Sequence, residues 1–358
     1  MKKTFSLLLS LLLVICASLH VNANISAISD NDSNLSHIIE FEDGGKDYVY
    51  IINGIENHCL VPPEGFNPLT ASDEELARYC FPPRPNDKTE LQHWENNMKH
   101  YKSTPEPGTK LSYKVETVDS NAFKLNDALT SSIRSGSSVY NSDKWSGYMV
   151  YSSTTSDTYS QVQGNYTHPT VTSGNSNSRI SYGVGIGGVS TTKMVSAGTA
   201  SDGISNNHYS YIEYTNSSNI KTRRDASITV SPGDAIHTYI TFEKENNKFT
   251  YYIANNTSGE SISGHVPLNS NSYYDGSTAE WIVAKSSTNS STSNFPNYNS
   301  ITFSMCSYKY LNNATWYNYT NSSNLYQVIM RGQTNNVLSQ PGAPFGGSCF
   351  TCTWQNYN

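Results

Sequence analysis

Ala235-Ile-His-Thr-Tyr-Ile-Thr-Phe242 alternates between two kinds of side chain at every step. Its even positions hold Ile, Thr, Ile and Phe, whereas His, Tyr and Thr follow the alanine at its odd positions. Side chains point to opposite faces at successive residues of a β-strand, so this pattern predicts a strand with one buried face. The fold therefore has to supply an apolar layer against the even positions.

Similar short runs recur from about residue 111 onward, separated by clusters of Gly, Asn and Ser. They are Ser146–Tyr151, Ser160–His168, Tyr182–Ile186, Tyr209–Tyr214, Phe249–Ile253, Ala279–Ala284, Ser300–Met305, Leu325–Met330 and Phe350–Trp354. Regularly spaced short strands with turn signals between them are typical of an all-β sandwich or barrel. We assign residues 111–358 to this all-β domain.

The composition agrees with a β-rich protein that has a polar surface. Of 358 residues, 36% are hydrophobic, only 15% are charged and 26 are tyrosine, and the mean hydropathy is −0.52. A helical repeat and a multi-span membrane protein are excluded by these values. The net charge is −6, and Lys221-Thr-Arg-Arg224 is the most basic run, which we interpret as a solvated loop. We expect no nucleic acid partner.

The N-terminus has the pattern of a secretory signal peptide. Lys2 and Lys3 precede an apolar run from Phe5 to Ala17, and Val21-Asn-Ala23 resembles a cleavage site. Removal of residues 1–23 predicts a secreted, extracellular protein with no membrane attachment, and leaves five of the six cysteines. Cys59 and Cys80 are candidates for a disulfide. The Cys349-Phe-Thr-Cys352 segment is interpreted as a final strand rather than as a redox motif. The spacing of the cysteines and histidines does not predict a metal site, and we expect no cofactor.

Residues 24–110 differ from the rest and form a small, partly helical module. Ser72 and Glu75 make a capping box that predicts a short helix through Tyr79, and Asp87 predicts a second helix to about Tyr101. The proline-rich stretch Ser103–Gly108 reads as a linker. The module is either a pro-region or a folded accessory domain.

Two carboxylates in predicted strands are the candidates for acid–base chemistry. Glu280 lies in Ser277-Thr-Ala-Glu-Trp-Ile-Val283, where Ala279, Trp281 and Val283 share one face and Glu280 lies on the other. Glu213 lies between aromatic residues in Tyr209–Tyr214. Burial raises the pKa of a carboxyl, which suits a general acid or base. The alternative is a structural glutamate that protects a sheet edge. There is no GxSxG or HExxH motif, and Gly183–Gly188 lacks the spacing of a dinucleotide loop.

An ordered set of segments resembles the glutamic peptidase (eqolisin) family. The segments are Lys144–Val150 (KWSGYMV), Gln161–Pro169 (QVQGNYTHP), Gly183–Gly188 (GVGIGG), Val195–Thr199 (VSAGT), Tyr211–Tyr214 (YIEY), Ser231–Asp234 (SPGD), Ile253–Thr257 (IANNT) and Thr278–Ile282 (TAEWI). The resemblance implies a concanavalin-like sandwich of two antiparallel sheets with a peptide groove. It implies a secreted, acid-acting, metal-independent endopeptidase that hydrolyses polypeptides with a catalytic Glu and Gln.

Carried over by resemblance, the catalytic Glu is Glu280, while Glu213 and Trp145 lie near the groove. The position of the catalytic Gln is Ser196, and the position of a groove tryptophan is Gly183, beside Tyr182. Two readings therefore stay open: an endopeptidase with a substitute for the Gln, and an inactive relative that binds peptide or glycan in the same groove. A structural or adhesive surface protein is a third. We expect a monomer.

The resemblance also suggests that the N-terminal module covers the groove until acid releases it. Arg84, Lys88 and Lys99 would then pair with carboxylates of the groove, and these pairs would weaken as the carboxyls take up protons.

Overall fold

The computed structural model describes most of the chain. The described residues are 26–27, 34–52, 54–108, 113–117, 139–152, 158–174, 178–187, 194–203, 207–215, 220–225, 227–243, 246–268, 276–285 and 295–357. The predicted signal peptide, residues 1–23, and the predicted boundary at residue 110 lie outside them. Within these residues, no helix has the length and apolar character needed to cross a bilayer.

One sheet carries the candidate site. Numbered along the chain and given in spatial order, its strands are β5 (Tyr113–Thr117), β12 (Ile220–Asp225), β11 (His208–Thr215), β10 (Met194–Asp202), β9 (Arg179–Gly187), β16 (Thr278–Lys285), β7 (Trp145–Tyr151), β19 (Leu325–Arg331) and β6 (Val139–Ser142). All neighbours are antiparallel except β19 and β6, which are parallel. We call it the first sheet.

The second sheet continues from the N-terminal strands into the domain. In spatial order its strands are β1 (Ser26–Ala27), β2 (Leu35–Glu40), β3 (Lys46–Ile52), β4 (Ile55–Val61), β15 (Glu260–Pro267), β14 (Lys248–Asn255), β13 (Ala235–Glu243), β8 (Tyr159–Thr167), β17 (Ser300–Tyr310) and β21 (Phe350–Trp354). The short strand β18 (Tyr317–Asn318) pairs with β17. Strand β20 (Val337–Pro341) pairs with both β19 and β21 and so joins the two sheets.

The main core lies between the two sheets. Val184 and Trp281 enter it from the first sheet, and Ile240 and Phe303 enter it from the second, all four completely buried. The Trp281 ring also donates from Nε1 to the carbonyl of Gln163, 2.8 Å away on β8, so the sheets are tied by a hydrogen bond as well as by packing. The predicted two-layer, antiparallel β-sandwich is confirmed.

The N-terminal module, residues 34–108, is built onto the second sheet. Strand β4 pairs with β15, and the helices α1 (Asp73–Arg78) and α2 (Lys88–Met98) begin at the predicted caps Ser72 and Asp87. The outer face of the second sheet buries Tyr239 and Tyr252 against Phe81, Trp94 and other apolar residues of the module. The module thus covers the outer face of the second sheet, on the far side of the main core from the outer face of the first.

Two sequence-based interpretations need correction. Lys221–Arg224 is not a loop but part of β12, whose backbone pairs with β11 on one side and β5 on the other. Long-range pairing has overridden a composition typical of a loop. The cations of the module do not reach the first sheet either: Arg84 pairs with Asp73 at 2.7 Å, and Lys99 donates to Asn96. The described part of the module therefore does not cover the predicted groove.

Candidate active site

Four predicted or neighbouring site residues form one straight row across the first sheet. Glu280 of β16 lies opposite Gly185 of β9, Gly185 opposite Ser196 of β10, and Ser196 opposite Glu213 of β11. Directly paired residues of neighbouring strands project to the same face of a sheet. The row therefore brings the candidate acid–base residue, the position predicted for the catalytic Gln and the second carboxylate to one surface, the outer face of the first sheet.

Local sequence explains why Glu280 faces outward. The segment Thr278–Val283 is rich in residues that favour strands, and Ala279, Trp281 and Val283 all fill the main core. Strand alternation then forces Glu280 to the opposite face. This orientation is the one that the alternation in the sequence predicts.

Gly185 itself places no side chain between Glu280 and Ser196, and the sulfur of Met194 lies 3.5 Å from the position that its Cβ atom would take. A Cβ atom built on Gly185 would lie 3.5 Å from Oε2 of Glu280, so the carboxylate extends over this glycine toward Ser196. Glu280 is 4% exposed and Ser196 is 1% exposed. The Ser196 hydroxyl has no hydrogen-bond partner among the described residues. A buried hydroxyl in this situation is available to a water or a substrate atom, because burying it unpaired is unfavourable.

Glu213 stands at the far end of the row from the apolar wall described next. It is only partly buried and is separated from Glu280 by Gly185 and Ser196. Two strand spacings of about 4.8 Å separate the backbones of Ser196 and Glu280, and a third separates Glu213. Its place suits an electrostatic neighbour of the site rather than a partner in direct contact with Glu280.

An apolar wall borders the row on the other side. Met149 lies directly opposite Glu280 on β7 and is completely buried, and Tyr326 of β19 lies opposite Met149. Trp145 belongs to the same cluster and faces Ala284, four residue pairs farther along. Each pair advances about 3.4 Å, so the Trp145 backbone is about 14 Å from that of Met149. Trp145 lies on the predicted face but not beside Glu280.

The remaining two predicted groove residues do not add side chains to this face. Tyr182 is completely buried in the main core, where its ring packs against His168 and Tyr298, because alternation turns it away from Glu280. Its ring therefore lies on the core side of the first sheet, away from the row. Gly183 has no room for a side chain, since a Cβ atom there would lie 2.0 Å from the carbonyl oxygen of Ala197. A tryptophan at this position would require β9 and β10 to separate.

Sequence reasoning missed Gly185 and Met149. The signal for Gly185 was present, because glycines at 183, 185 and 187 alternate with larger residues and so share one face of β9. A strip of bare backbone beside a carboxylate marks a place for a ligand to approach the chain closely. Nothing in the local sequence indicated that Met149 would lie opposite Glu280, because that depends on strand pairing.

The cysteines have no role in this site. All five cysteines of the described residues are free thiols. Cys59 lies near the hydroxyl of Tyr251, whereas the Cys80 sulfur is 4.0 Å from His265 Nδ1, so the predicted Cys59–Cys80 disulfide is not formed. Cys352 lies in β21, as the strand reading of its segment predicted. The described ranges contain no group of three or more His, Cys, Asp or Glu arranged to hold a metal ion.

Comparison with known proteins assigns this chain to a protein family. A sequence profile of the Peptidase A4 family matches residues 143–354, which include every residue of the row. The chain belongs to the Peptidase A4 family. The resemblance to the glutamic peptidases is thereby confirmed, and a peptidase of the glutamic type is supported in general. A search of curated proteins found no match.

Solved structures of glutamic peptidases are similar to this A4-family chain. Scytalidoglutamic peptidase with a transition-state analogue inhibitor is 18% identical, with 60% of this chain and 98% of that chain covered and a TM-score of 0.47. SCP-B, an eqolisin-family peptidase in complex with the tripeptide Ala-Ile-His, gives the same identity and coverage with a TM-score of 0.44. Aspergilloglutamic peptidase from Aspergillus niger is 21% identical over 49% of this chain and 99% of that chain, with a TM-score of 0.40.

The bare backbone at Gly185 gives a direct test of the row. We expect Gly185→Ala to fold normally, because its new Cβ atom meets only ordinary contacts of 3.4–3.5 Å. The methyl group would occupy the space between Glu280 and Ser196 and lower kcat/KM at least about tenfold through misplacement of the reacting atoms. Thermal unfolding and peptide cleavage measure the two effects.

Gly183→Ala is the matched control, two residues away on the same face. Its Cβ atom would collide with the Ala197 carbonyl at 2.0 Å, so we expect a large loss of stability in this variant. Full activity in Gly185→Ala would show that the space above Gly185 is not used by substrate or water.

Proposed function

We propose that this chain is a glutamic-type endopeptidase in which Glu280 activates a water that Ser196 helps to hold. The observation that carries the proposal is the row itself. The Glu280 carboxylate extends over a glycine toward a buried hydroxyl that has no partner among the described residues. This arrangement places an acid–base group and a hydrogen-bond donor on either side of a residue that has no side chain.

The proposed reaction needs one carboxyl group in two roles. Glu280 takes a proton from the water, whose oxygen forms a bond to the carbonyl carbon of the peptide. Glu280 then gives that proton to the amide nitrogen as the carbon–nitrogen bond breaks, so one water is consumed and Glu280 regains its starting state. No metal is required for either proton transfer.

Ser196 offers fewer hydrogen-bonding groups to the water and the oxyanion than the glutamine of the family would. A serine hydroxyl offers one donor on a short side chain, whereas a glutamine amide offers two donors and an acceptor on a longer one. Removal of one donor to an oxyanion typically costs about 10²–10³ in rate. We therefore propose a slow peptidase, with a further water in the volume that the glutamine amide would fill.

Substrate access requires a conformational change. The row is closed to solvent, because Glu280, Ser196 and Met149 are each at most 4% exposed. A peptide cannot reach it in this conformation. We propose that catalysis takes place in a more open state. We also propose that the leader predicted at residues 1–23 exports the chain, and that it acts on polypeptides outside the cell, on the acidic side of neutrality.

Cleavage of an unfolded protein substrate between pH 3 and 7 tests the proposal. We expect Glu280→Gln to abolish cleavage and Glu213→Gln, the matched carboxylate of the same row, to retain measurable activity. A metal chelator should change neither result. Undiminished cleavage by Glu280→Gln, or loss of cleavage with the chelator, would refute the mechanism.

The second candidate is a non-catalytic peptide- or glycan-binding protein. Ser196 and Gly183 support it, because the resemblance to the family predicts larger side chains, a glutamine and a tryptophan, at these two positions. Absence of cleavage by folded wild-type protein, together with saturable binding of peptide or glycan that Gly185→Ala weakens, would establish this function instead.

A further inference from the structure

One buried histidine, His237, and one partly buried histidine, His265, lie beneath the N-terminal module. His237 of β13 and His265 of β15 both project from the outer face of the second sheet, since their neighbours Ile236, Ile262 and Val266 fill the main core. The same face carries Tyr239 and Tyr252, which pack against the module. Residues 34–108 therefore contribute to the shielding of both imidazoles, which is complete for His237 and partial for His265.

His237 is linked to α2 through a chain of amides. Its Nδ1 lies 2.6 Å from Oδ1 of Asn165, and Nδ2 of Asn165 donates to Oδ1 of Asn97 on α2 at 3.0 Å. Asn256 donates to the same oxygen, and Met305 and the Tyr252 ring complete the surroundings. These neighbours are uncharged, so none of them compensates a charge on His237. Burial lowers the pKa of His237 to about 3.

His265 lies in the seam between the module and the sandwich. Its ring stacks on that of His58, its pairing partner on β4, with centroids 4.1 Å apart and an interplanar angle of 12°. Cys80, which follows α1, contacts Nδ1 at 4.0 Å. Burial, and then the charges of His58 and Lys248, lower the pKa of His265 to about 3.

The charged groups around this seam do not neutralise a proton on His265. Asp47 of β3 and Glu56 of β4 contact the His58 ring, at 2.8 and 3.5 Å. Lys248 of β14 pairs with Glu243 of β13 at 3.2 Å and adds a positive charge on the sandwich side. A protonated His265 would thus face a second imidazole and a lysine in a partly dehydrated space, which is unfavourable.

We infer that protonation of His237 and His265 undocks the N-terminal module from the second sheet while the sandwich stays folded. Undocking exposes both rings to water, where they accept protons freely. The backbone seam that must open is short, with three residue pairs between β4 and β15 and a second contact that joins residues 102–103 to residues 259–261. At neutral pH, the apolar contacts beneath the helices and the Asn57–Tyr214 hydrogen bond hold the module in place. The inference does not depend on peptidase activity.

The sign of the pH effect follows from proton linkage. Between about pH 6.5 and 3, these two histidines bind two protons in the undocked state that they do not bind in the docked state, so their effect is to weaken docking as the pH falls. Each proton changes the opening equilibrium tenfold per pH unit, and two protons change it about a hundredfold.

Hydrogen exchange of the full chain between pH 7 and 4.5 tests the inference, with rates corrected for the intrinsic effect of pH. We expect the α2 amides to lose protection about a hundredfold per pH unit, ahead of the strands β9, β10 and β16. His265→Phe keeps a ring against His58, and His237→Asn keeps a donor near Nδ1. Each should reduce the slope for α2 to about tenfold per pH unit.

His168→Asn is the matched control. His168 is also buried, with a pKa lowered to about 3 by burial and by His208, but it contacts Thr199 and Ser201 at the far side of the main core from the module. It should leave the α2 slope unchanged. Near-ultraviolet circular dichroism at pH 7.5 confirms that each variant is folded. An unchanged α2 slope in both His237→Asn and His265→Phe, or simultaneous loss of protection in α2 and the first sheet, would overturn the inference.

Discussion

Ser196→Gln is expected to raise kcat/KM for an unfolded protein substrate by about 10²–10³. The position already lies in the row, two strands from Glu280 and on the same face. The intervening Gly185 has no side chain, so the amide of a glutamine at position 196 would extend toward the Glu280 carboxylate if the Met194 sulfur moves aside. The gain would come from the additional donor to the oxyanion and from better placement of the attacking water.

Ser196→Ala is the control for this substitution. It removes the only hydroxyl that the row offers next to Gly185, and we expect its activity to fall below that of the wild type. Steady-state kinetics of the three proteins, each checked by thermal unfolding, give the comparison. If the Ser196→Gln protein folds but its kcat/KM does not rise, position 196 does not correspond to the catalytic glutamine of the family. That result would favour the binding function.

Acid is expected to destabilise this fold steeply. His168, His237 and His265 each have a pKa lowered to about 3, mainly because of burial. The unfolded chain binds these protons near pH 6.5 and the native state does not, so stability is lost as the pH falls from about 6.5 toward 3. Each group contributes about 1.4 kcal/mol per pH unit, or about 4 kcal/mol for all three. Net stabilities of folded domains are about 5–15 kcal/mol.

Denaturant unfolding at pH 7.5, 6 and 5 measures this effect. The free energy of unfolding should fall by about 4 kcal/mol per pH unit across the acidic part of the range, and the triple variant His168→Asn, His237→Asn, His265→Phe should show a much flatter dependence. Equal dependence in wild type and triple variant would show that other groups control acid stability. The expected acid-side activity therefore has a lower limit, set by the fold, at mildly acidic pH.

The sequence and the structure agree where local patterns decide the outcome. Alternation in Thr278–Val283 predicted which face carries Glu280, and Ser72 and Asp87 predicted where the helices begin. Prediction failed where distant pairing decides. Residues 220–225 form a strand because β11 and β5 flank them, and Met149 enters the site only because β7 pairs with β16. The location of the N-terminal module depends on the β4–β15 seam, which no local pattern encodes.

Because the row crosses four strands, the geometry of the site is determined by strand pairing in the first sheet and not by the conformation of any loop. Glu280, Gly185, Ser196 and Glu213 come from four different strands, so their alignment is set by the registers of three strand pairs. A single-residue insertion or deletion within β9 or β10 would turn Ser196 or Gly185 toward the core, whereas the turns between the strands can change length freely. Evolution of this surface is therefore constrained to substitutions inside the strands, and the loops are where new specificity can be added without disturbing the chemistry.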